Sequence, residues 1–234
     1  METHFTYYSD YGVVLMKAGY VREGLNVMRY LINLKPNEYN IIANLATAYE
    51  LNGINDSALY WINKGLQINP DSHAGSEWIH KRILQAKLNI KENPAWLANN
   101  RIFSSGDMRS ANQRTGIWQF SYQLQERIPF TATPDPLMSK VLEEFGDFLM
   151  QYYSVSEAWK VFSAARVYDP SRATSLDPKI IKARQMTLSN RKRVPRKTSV
   201  RHWPTDENIA TLTASFEQHR FVRINDIVPK LYHH

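Results

Sequence analysis

Residues 39–72, YNIIANLATAYELNGINDSALYWINKGLQINPDS, contain the pattern that determines the fold. Apolar side chains recur at spacings of three and four in the first half of this stretch, which places them on one face of a helix. These residues are Ile42, Leu45, Ala46 and Tyr49. In the second half, Ala58, Ile62 and Gly65 follow the same spacing, and Pro70 ends the pattern. The stretch therefore predicts a helical hairpin.

The same pattern occurs in three windows of 34 residues, which begin at Phe5, Tyr39 and Ser139. Position 8 of each window is small, position 20 is small, and position 32 is proline. These positions are Gly12, Ala46 and Gly146, then Gly24, Ala58 and Ala158, then Pro36, Pro70 and Pro170. In the first window the apolar face also carries Tyr8, Tyr11 and Leu15. A fixed period in this range indicates stacked helical hairpins, and the small residues let the paired helices approach closely.

Position 15 marks the end of the first helix of each hairpin. It is Gly19 in the first window and Gly53 in the second, and glycine tolerates the left-handed turn that ends a helix. The third window has Tyr153 there, so we expect Ser154 or a neighbour to make this turn.

The 66 residues between the second and third clear windows, 73–138, fit two degenerate repeats. Apolar periodicity predicts a helix over 73–90, capped by Asp71 or Ser72. The polar stretch 104–115 predicts a loop. Residues 116–128 fit both a strand and a helix, and we favour a helix because a lone strand would have no pairing partner.

The C-terminal part is predicted to hold a capping segment over 173–190, with its helix at Pro178–Asn190, and a basic extension over 191–234. Within the extension, Thr205 begins an amphipathic segment with Ile209, Leu212 and Phe216. From residue 178 to residue 205 there are nine Lys and Arg residues and no acidic residue, while the rest of the chain has 20 basic against 22 acidic residues. The net charge of +7 therefore originates in one segment.

The three windows resemble the tetratricopeptide repeat (TPR) family, and the region around residues 44–50 and 69–78 is similar to a bacterial subgroup of unassigned function. The resemblance implies an all-α, right-handed α-solenoid of helical hairpins. Its repeats would span 5–38, 39–72 and 139–172, with degenerate repeats over 73–138. It also implies a concave groove, built from the first helix of each hairpin, that binds a protein or peptide and has neither catalytic activity nor a cofactor.

The groove predicted in this way has a mixed polar surface suited to a partner helix or an extended peptide. Its candidate residues are Ser9, Val13, Met16, Lys17, Asn40, Ala43, Asn44, Thr47, Glu50, Glu77, Lys81 and Gln85. An alternative function, association with nucleic acid or with an anionic membrane surface, would depend on the basic segment 179–201. Its candidate residues are Lys179, Lys182, Arg184, Arg191, Lys192, Arg193, Arg196, Lys197 and Arg201.

Other site chemistry has weaker support in the sequence. His73, Glu77 and His80 have the residue types of a zinc site, but a fourth ligand is missing, so we expect them to cap helices and to form inter-helix hydrogen bonds. The chain has no cysteine, no glycine-rich phosphate loop and no nucleophile motif, which argues against an enzyme.

The sequence leaves the cellular location open. No stretch approaches the roughly 18 apolar residues of a membrane helix, and the first residues lack the pattern of a signal peptide. We expect a cytoplasmic protein if the chain is complete, and a periplasmic one if a signal peptide has been removed. The oligomeric state is not predicted.

Overall fold

The computed structural model describes residues 4–111 and 113–193, and every regular element in these ranges is helical. The α-helices are α1 His4–Lys17, α2 Val21–Leu34, α3 Tyr39–Leu51, α4 Asn55–Ile68, α5 Ser72–Gly75, α6 Glu77–Glu92, α7 Trp96–Asn99, α8 Ser105–Ser110, α9 Gln113–Arg127, α10 Pro136–Tyr152, α11 Val155–Tyr168 and α12 Ala173–Arg193. Two short 3₁₀ helices span Ile128–Phe130 and Pro170–Arg172. The all-helical prediction is confirmed.

Three helix pairs coincide with the three windows: α1 with α2, α3 with α4, and α10 with α11. The glycines at position 15 make the expected left-handed turns, with φ of 91° at Gly19 and 75° at Gly53. In the first turn the amide of Tyr20 donates to the carbonyl of Leu15 at 2.9 Å, which satisfies a carbonyl that the end of α1 leaves open.

The third pair turns without a left-handed residue. Tyr153 ends α10 with φ −135°, and the extended Ser154 begins α11 by accepting a hydrogen bond from the amide of Glu157 on its side chain. Ser154 thus takes part in the turn as expected, but as a helix cap. A serine cap needs no positive φ, so a tyrosine can occupy the position that is glycine in the other pairs.

The small residues at position 8 allow close helix packing. A Cβ atom built on Gly146 would lie 2.5 Å from the ring of Phe162, and one on Gly12 would lie 2.6 Å from Met28. Phe162 and Met28 are fully buried. In these two pairs the second helix therefore rests directly on the backbone of the first.

The helix predicted over 73–90 begins later than expected, which corrects the sequence prediction. Residues His73, Ala74 and Gly75 all have positive φ, and α6 starts only at Glu77. Neither Asp71 nor Ser72 caps it. The left-handed turn is held by Gln119, whose amide donates to the carbonyl of Ala74 at 3.3 Å. This hydrogen bond comes from a residue 45 positions away, so local periodicity could not reveal it.

In the region 104–128 the predicted loop is the part that differs, because α9 begins inside it at Gln113. The expected loop over 104–115 contains the short helix α8, which Ser104 and Asp107 stabilise through a reciprocal capping box. The prediction of a helix over 116–128 is confirmed, because α9 covers residues 113–127. The last helix, α12, starts at Ala173, five residues before the expected Pro178. Pro178 lies inside this helix and has no amide hydrogen, so it cannot donate to the carbonyl of Thr174.

The chain divides into two compact units. The first comprises residues up to Phe103 together with 118–123 of α9, and the second comprises 104–117 and the residues from 124 onward. In the first unit α1, α2, α3, α4 and α6 each pack on the next, and Ala46, Ala58, Ile62 and Leu84 form a shared core. In the second unit α11 packs on both α10 and α12. Among the described helices, none combines the length and apolar character needed to span a bilayer.

Candidate functional site

In the first unit, polar side chains join α1 to α3, the first helices of two hairpins, and α3 to α6. Between α1 and α3, the Asn44 side-chain amide donates to the hydroxyl of Ser9 at 3.0 Å. Ser9 is buried, so its hydroxyl needs a partner inside the protein. This hydrogen bond connects two helices that are not consecutive in the chain.

The seam between α3 and α6 contains a buried charged group. Glu50 is 7% exposed, and its Oε2 lies 2.7 Å from His80 Nε2. Its Oε1 lies 2.7 Å from Lys87 Nζ. Burying a carboxylate costs several kcal/mol unless partners compensate, and here a lysine and a histidine of α6 do so.

A second buried carboxylate, Glu77, extends this network. His73 Nδ1 contacts its Oε1, and His80 Nδ1 lies 3.5 Å from its Oε2. Burial would raise the pKa of Glu77, but the hydrogen bonds and the charges of both histidines outweigh it and hold the pKa far below the usual range. Glu77 is therefore ionised in the folded protein.

Two tyrosines surround the exposed end of the network. The hydroxyl of Tyr39 lies 3.4 Å from Glu77 Oε1, and burial followed by the negative charge of Glu77 raises the pKa of Tyr39. The ring of His73 stacks on Tyr122 with centroids 5.2 Å apart. Tyr39, Lys87 and Tyr122 were absent from the sequence-based candidates. Tyr39 could have been included from the sequence, because it stands at position 1 of the second window. Tyr122 could not, because it belongs to α9, and the sequence does not show where α9 packs.

The network connects α3 to α6 through hydrogen bonds and ion pairs. In the described part of the chain, no three His, Asp or Glu side chains are arranged to hold a metal ion. The inter-helix hydrogen bond expected of this trio is present between His80 and Glu50. His73 and Glu77 instead bond to each other beside the left-handed turn.

Four of the twelve predicted groove residues are buried, which corrects their assignment to an open surface. Met16 packs in the core of the first pair, where a Cβ on Gly24 would lie 2.5 Å from it. Ser9, Glu50 and Glu77 are used in the polar seams just described. The remaining eight are at least partly accessible and form the candidate surface: Val13, Lys17, Asn40, Ala43, Asn44, Thr47, Lys81 and Gln85.

The second unit contains an equivalent polar seam between α10 and the region that starts α12. Lys179 Nζ lies 2.9 Å from Glu143 and 2.7 Å from Asp147, and Arg172 pairs with Glu143. Burial would raise the pKa of Glu143, but the hydrogen bonds from Arg172 and Lys179 and their positive charges lower it to about 2. This carboxylate is also ionised.

Lys179 was predicted as part of the basic segment, but its ammonium is occupied by two carboxylates of α10. Lys182 and Arg184 are exposed on α12. The backbone of α12 includes Arg191, Lys192 and Arg193, while Arg196, Lys197 and Arg201 lie outside the described residues. In the described structure, α12 therefore includes only the part of the basic segment up to Arg193.

Comparison with known protein families, with curated proteins and with solved structures gave no match.

Proposed function

We propose that this protein is a non-catalytic scaffold of the TPR type, in which stacked helical hairpins form a right-handed solenoid. In this proposal the candidate surface on α1, α3 and α6 lines a concave groove that binds a peptide or a partner helix. The observation that carries the proposal is the lateral joining of first helices, α1 to α3 by Asn44 and Ser9, and α3 to α6 by Glu50 and His80. Alternate helices that lie side by side are what stacked hairpins require.

The chemistry of the candidate surface supports recognition of a polar chain. Lys17 and Lys81 offer cations, and Asn40 offers an amide that can both donate and accept. Val13 and Ala43 add two small apolar side chains to the same surface. A surface of this kind suits a peptide with carboxylate groups and exposed backbone more than an apolar helix.

The experiment that tests the proposal needs a partner, identified by proximity labelling with the full chain and then purified. Binding is measured by calorimetry for the wild type and for the Lys17→Ala/Asn40→Ala/Lys81→Ala variant. The matched control is Arg29→Ala/Asn33→Ala/Gln67→Ala, which changes three exposed residues on the second helices α2 and α4. Circular dichroism confirms that both variants are folded.

We expect the surface variant to weaken binding at least tenfold, about 1.4 kcal/mol, and the control to leave it unchanged. If the control variant weakens binding and the surface variant does not, the opposite face is the binding surface and the groove proposal is wrong.

An alternative function rests on the basic segment, since Lys182 and Arg184 are exposed on a helix that leads into further cations without an intervening acid. This would be association with nucleic acid or an anionic membrane. Retention on RNA, DNA or anionic vesicles that falls steeply with salt, and that is lost when 191–234 are deleted, would favour it over the scaffold.

A further inference from the structure

One face of the first helix, α1, is aromatic and apolar along its whole length and is exposed. Its side chains recur at spacings of four, three and four residues, which places them in one strip: Tyr7, Tyr11, Val14 and Ala18. Tyr7 is 70% exposed, Tyr11 56% and Val14 60%. Tyr8, 60% exposed, borders them on one side, and no charged residue lies between the members of the strip. We call these four residues the α1 strip.

The corresponding face is buried in the other two clear windows. In the first window, positions 3, 7 and 10 are Tyr7, Tyr11 and Val14. In the other two, these positions hold six apolar residues that are at most 2% exposed: Ile41, Leu45, Ala48, Val141, Phe145 and Phe148. In the second window α2 packs on this side of α3, where the side-chain amide of Asn52 donates to the carbonyl of Val21 at 2.9 Å. The face that receives a helix in the second window is therefore open in the first.

The charged residues beside the α1 strip indicate what covers it. Asp10 and Lys17 are both exposed and seven residues apart, so they lie on one flank of the strip, two helical turns from each other. Neither has an ion-pair partner among the described residues. When two copies of α1 pack antiparallel about a twofold axis, this flank faces itself with the chain direction reversed. Asp10 of each copy then lies beside Lys17 of the other, and the symmetry makes two ion pairs.

A parallel pair of α1 helices would lack these ion pairs. In that arrangement the flank with Asp10 and Lys17 faces the opposite flank of the second copy, which carries Tyr8 and Leu15. The antiparallel arrangement also places Tyr11 opposite Val14, so a large side chain meets a smaller one across the strip. The strip is thus complementary to itself in one orientation.

The exposed area determines how strong such a contact is. A buried aromatic side chain removes about 150–250 Å² from water, so the exposed parts of Tyr7, Tyr8 and Tyr11 amount to roughly 400 Å² in one copy and roughly 800 Å² in two. Stable interfaces bury about 1,200–2,000 Å², and smaller ones are weak. The expected dissociation constant is on the order of 10–100 µM.

We propose that the α1 strip is a self-association surface, on which α1 of a second copy of this chain packs antiparallel. The chain is then a weak, concentration-dependent dimer with a twofold axis beside Tyr11 and Val14. This inference does not depend on the groove of the first unit. Lys17 belongs to both surfaces, but the experiment below contains no other protein, so its result leaves the groove proposal untouched.

The test is sedimentation equilibrium of the full chain between about 1 and about 500 µM, a range that brackets the expected dissociation constant. Tyr7→Ser/Tyr11→Ser removes most of the aromatic area. Asp10→Lys and Lys17→Asp each place like charges opposite each other twice, and the double variant Asp10→Lys/Lys17→Asp restores both ion pairs with their signs exchanged.

The matched control is Tyr30→Ser/Tyr60→Ser, which removes two tyrosines of similar exposure from the second helices α2 and α4. Circular dichroism shows that every variant keeps its helices. We expect the control to dimerise like the wild type, and the Tyr7→Ser/Tyr11→Ser variant to be monomeric at every concentration. Each single charge reversal should weaken the dimer at least about fivefold, and the double reversal should return it to within about twofold of the wild type.

Three results would overturn the proposal. A wild-type chain that is monomeric at about 500 µM would show that the α1 strip has another occupant. A dimer that the Tyr7→Ser/Tyr11→Ser variant leaves unchanged would assign association to another surface. Single charge reversals without effect, or a double reversal as weak as the singles, would exclude the antiparallel arrangement.

Discussion

Replacing Gly146 by alanine tests the close helix approach on which the fold rests. Alanine normally stabilises a helix interior by about 0.5–1 kcal/mol relative to glycine. At Gly146, however, the new methyl would lie 2.5 Å and 2.6 Å from two ring atoms of Phe162, a fully buried side chain. Overpacking of a core costs about 1–3 kcal/mol, so the net effect should be destabilisation by about 1–2 kcal/mol.

Gly65→Ala is the matched control, because Gly65 also lies in a helix and is buried. A Cβ there would meet its nearest atoms, in Ile42 and Tyr39, at 3.5 Å, which is ordinary contact. This variant should therefore gain the usual helix stabilisation of about 0.5–1 kcal/mol. The two glycine-to-alanine changes are predicted to alter the free energy of unfolding in opposite directions. Helix propensity alone would predict the same direction for both.

Urea unfolding followed by circular dichroism measures both variants, and a double-mutant cycle with Phe162→Leu identifies the cause. In the Gly146→Ala background, the loss of the ring should relieve the clash, so the coupling energy should be about 1 kcal/mol or more. If Gly146→Ala is as stable as the wild type, or if its cost is unchanged when Phe162 is leucine, the helices are not held in contact by this glycine.

Three further predictions concern the polar groups. Glu143→Gln should destabilise the protein by about 2 kcal/mol at pH 7, because a carboxylate with a lowered pKa stabilises the fold only while it is ionised. The difference should be lost as the pH falls from 4.5 through about 2, which urea unfolding at several pH values measures, with the exposed Glu92→Gln as control. Glu50→Gln should cost about 3 kcal/mol in the same assay, since His80 and Lys87 lose a buried charged partner, whereas Glu92→Gln on the surface should change stability by less than 0.5 kcal/mol. Tyr168→Phe should be neutral or stabilising by about 1 kcal/mol, because its buried hydroxyl has no hydrogen-bond partner among the described residues. Tyr39→Phe should cost about 1 kcal/mol, because the hydroxyl loses its hydrogen bonds to His73 and Glu77. Thermal unfolding compares the two variants, and the reverse order of stability would contradict the assignment.

The features that follow from local chemistry could be predicted from the sequence. The prolines at position 32 end α2, α4 and α11 as expected, and Gly19 and Gly53 make the left-handed turns. A backbone preference of this kind acts within a few residues, and a single sequence is enough to show it.

Features that depend on the identity of a neighbouring element could not be predicted. The periodicity placed Tyr8 and Tyr11 on the apolar face of α1, yet they are 60% and 56% exposed because no described element packs on that side. The start of α6 shifted to Glu77 because Gln119 of α9 holds a left-handed turn before it. In both cases the helical spacing of the sequence is compatible with the structure. The exposure of the tyrosines and the start of α6 are decided by which other element packs against them.

The candidate surface was only partly predictable for the same reason. The spacing of Ala43, Thr47 and Glu50, at i, i+4 and i+7, places them on one face of α3. Only the position of His80, 30 residues later, shows that Glu50 turns into the seam while Thr47 remains partly accessible. A side chain at the edge of a helical face can be buried between helices or exposed to solvent, and the presence of a partner on the neighbouring helix decides between the two.

The contacts between neighbouring helices differ in their chemistry, and this difference bears on how the helices stay aligned. Within the first hairpin Met28 packs against Gly12, and an apolar contact of this kind tolerates small shifts. Between alternate helices it is polar, at Asn44 with Ser9, at Glu50 with His80 and at Lys179 with Glu143. A shift of one helical turn, about 5.4 Å, would separate each of these partners and leave a buried polar group unpaired. The polar pairs therefore fix the alignment of these alternate helices.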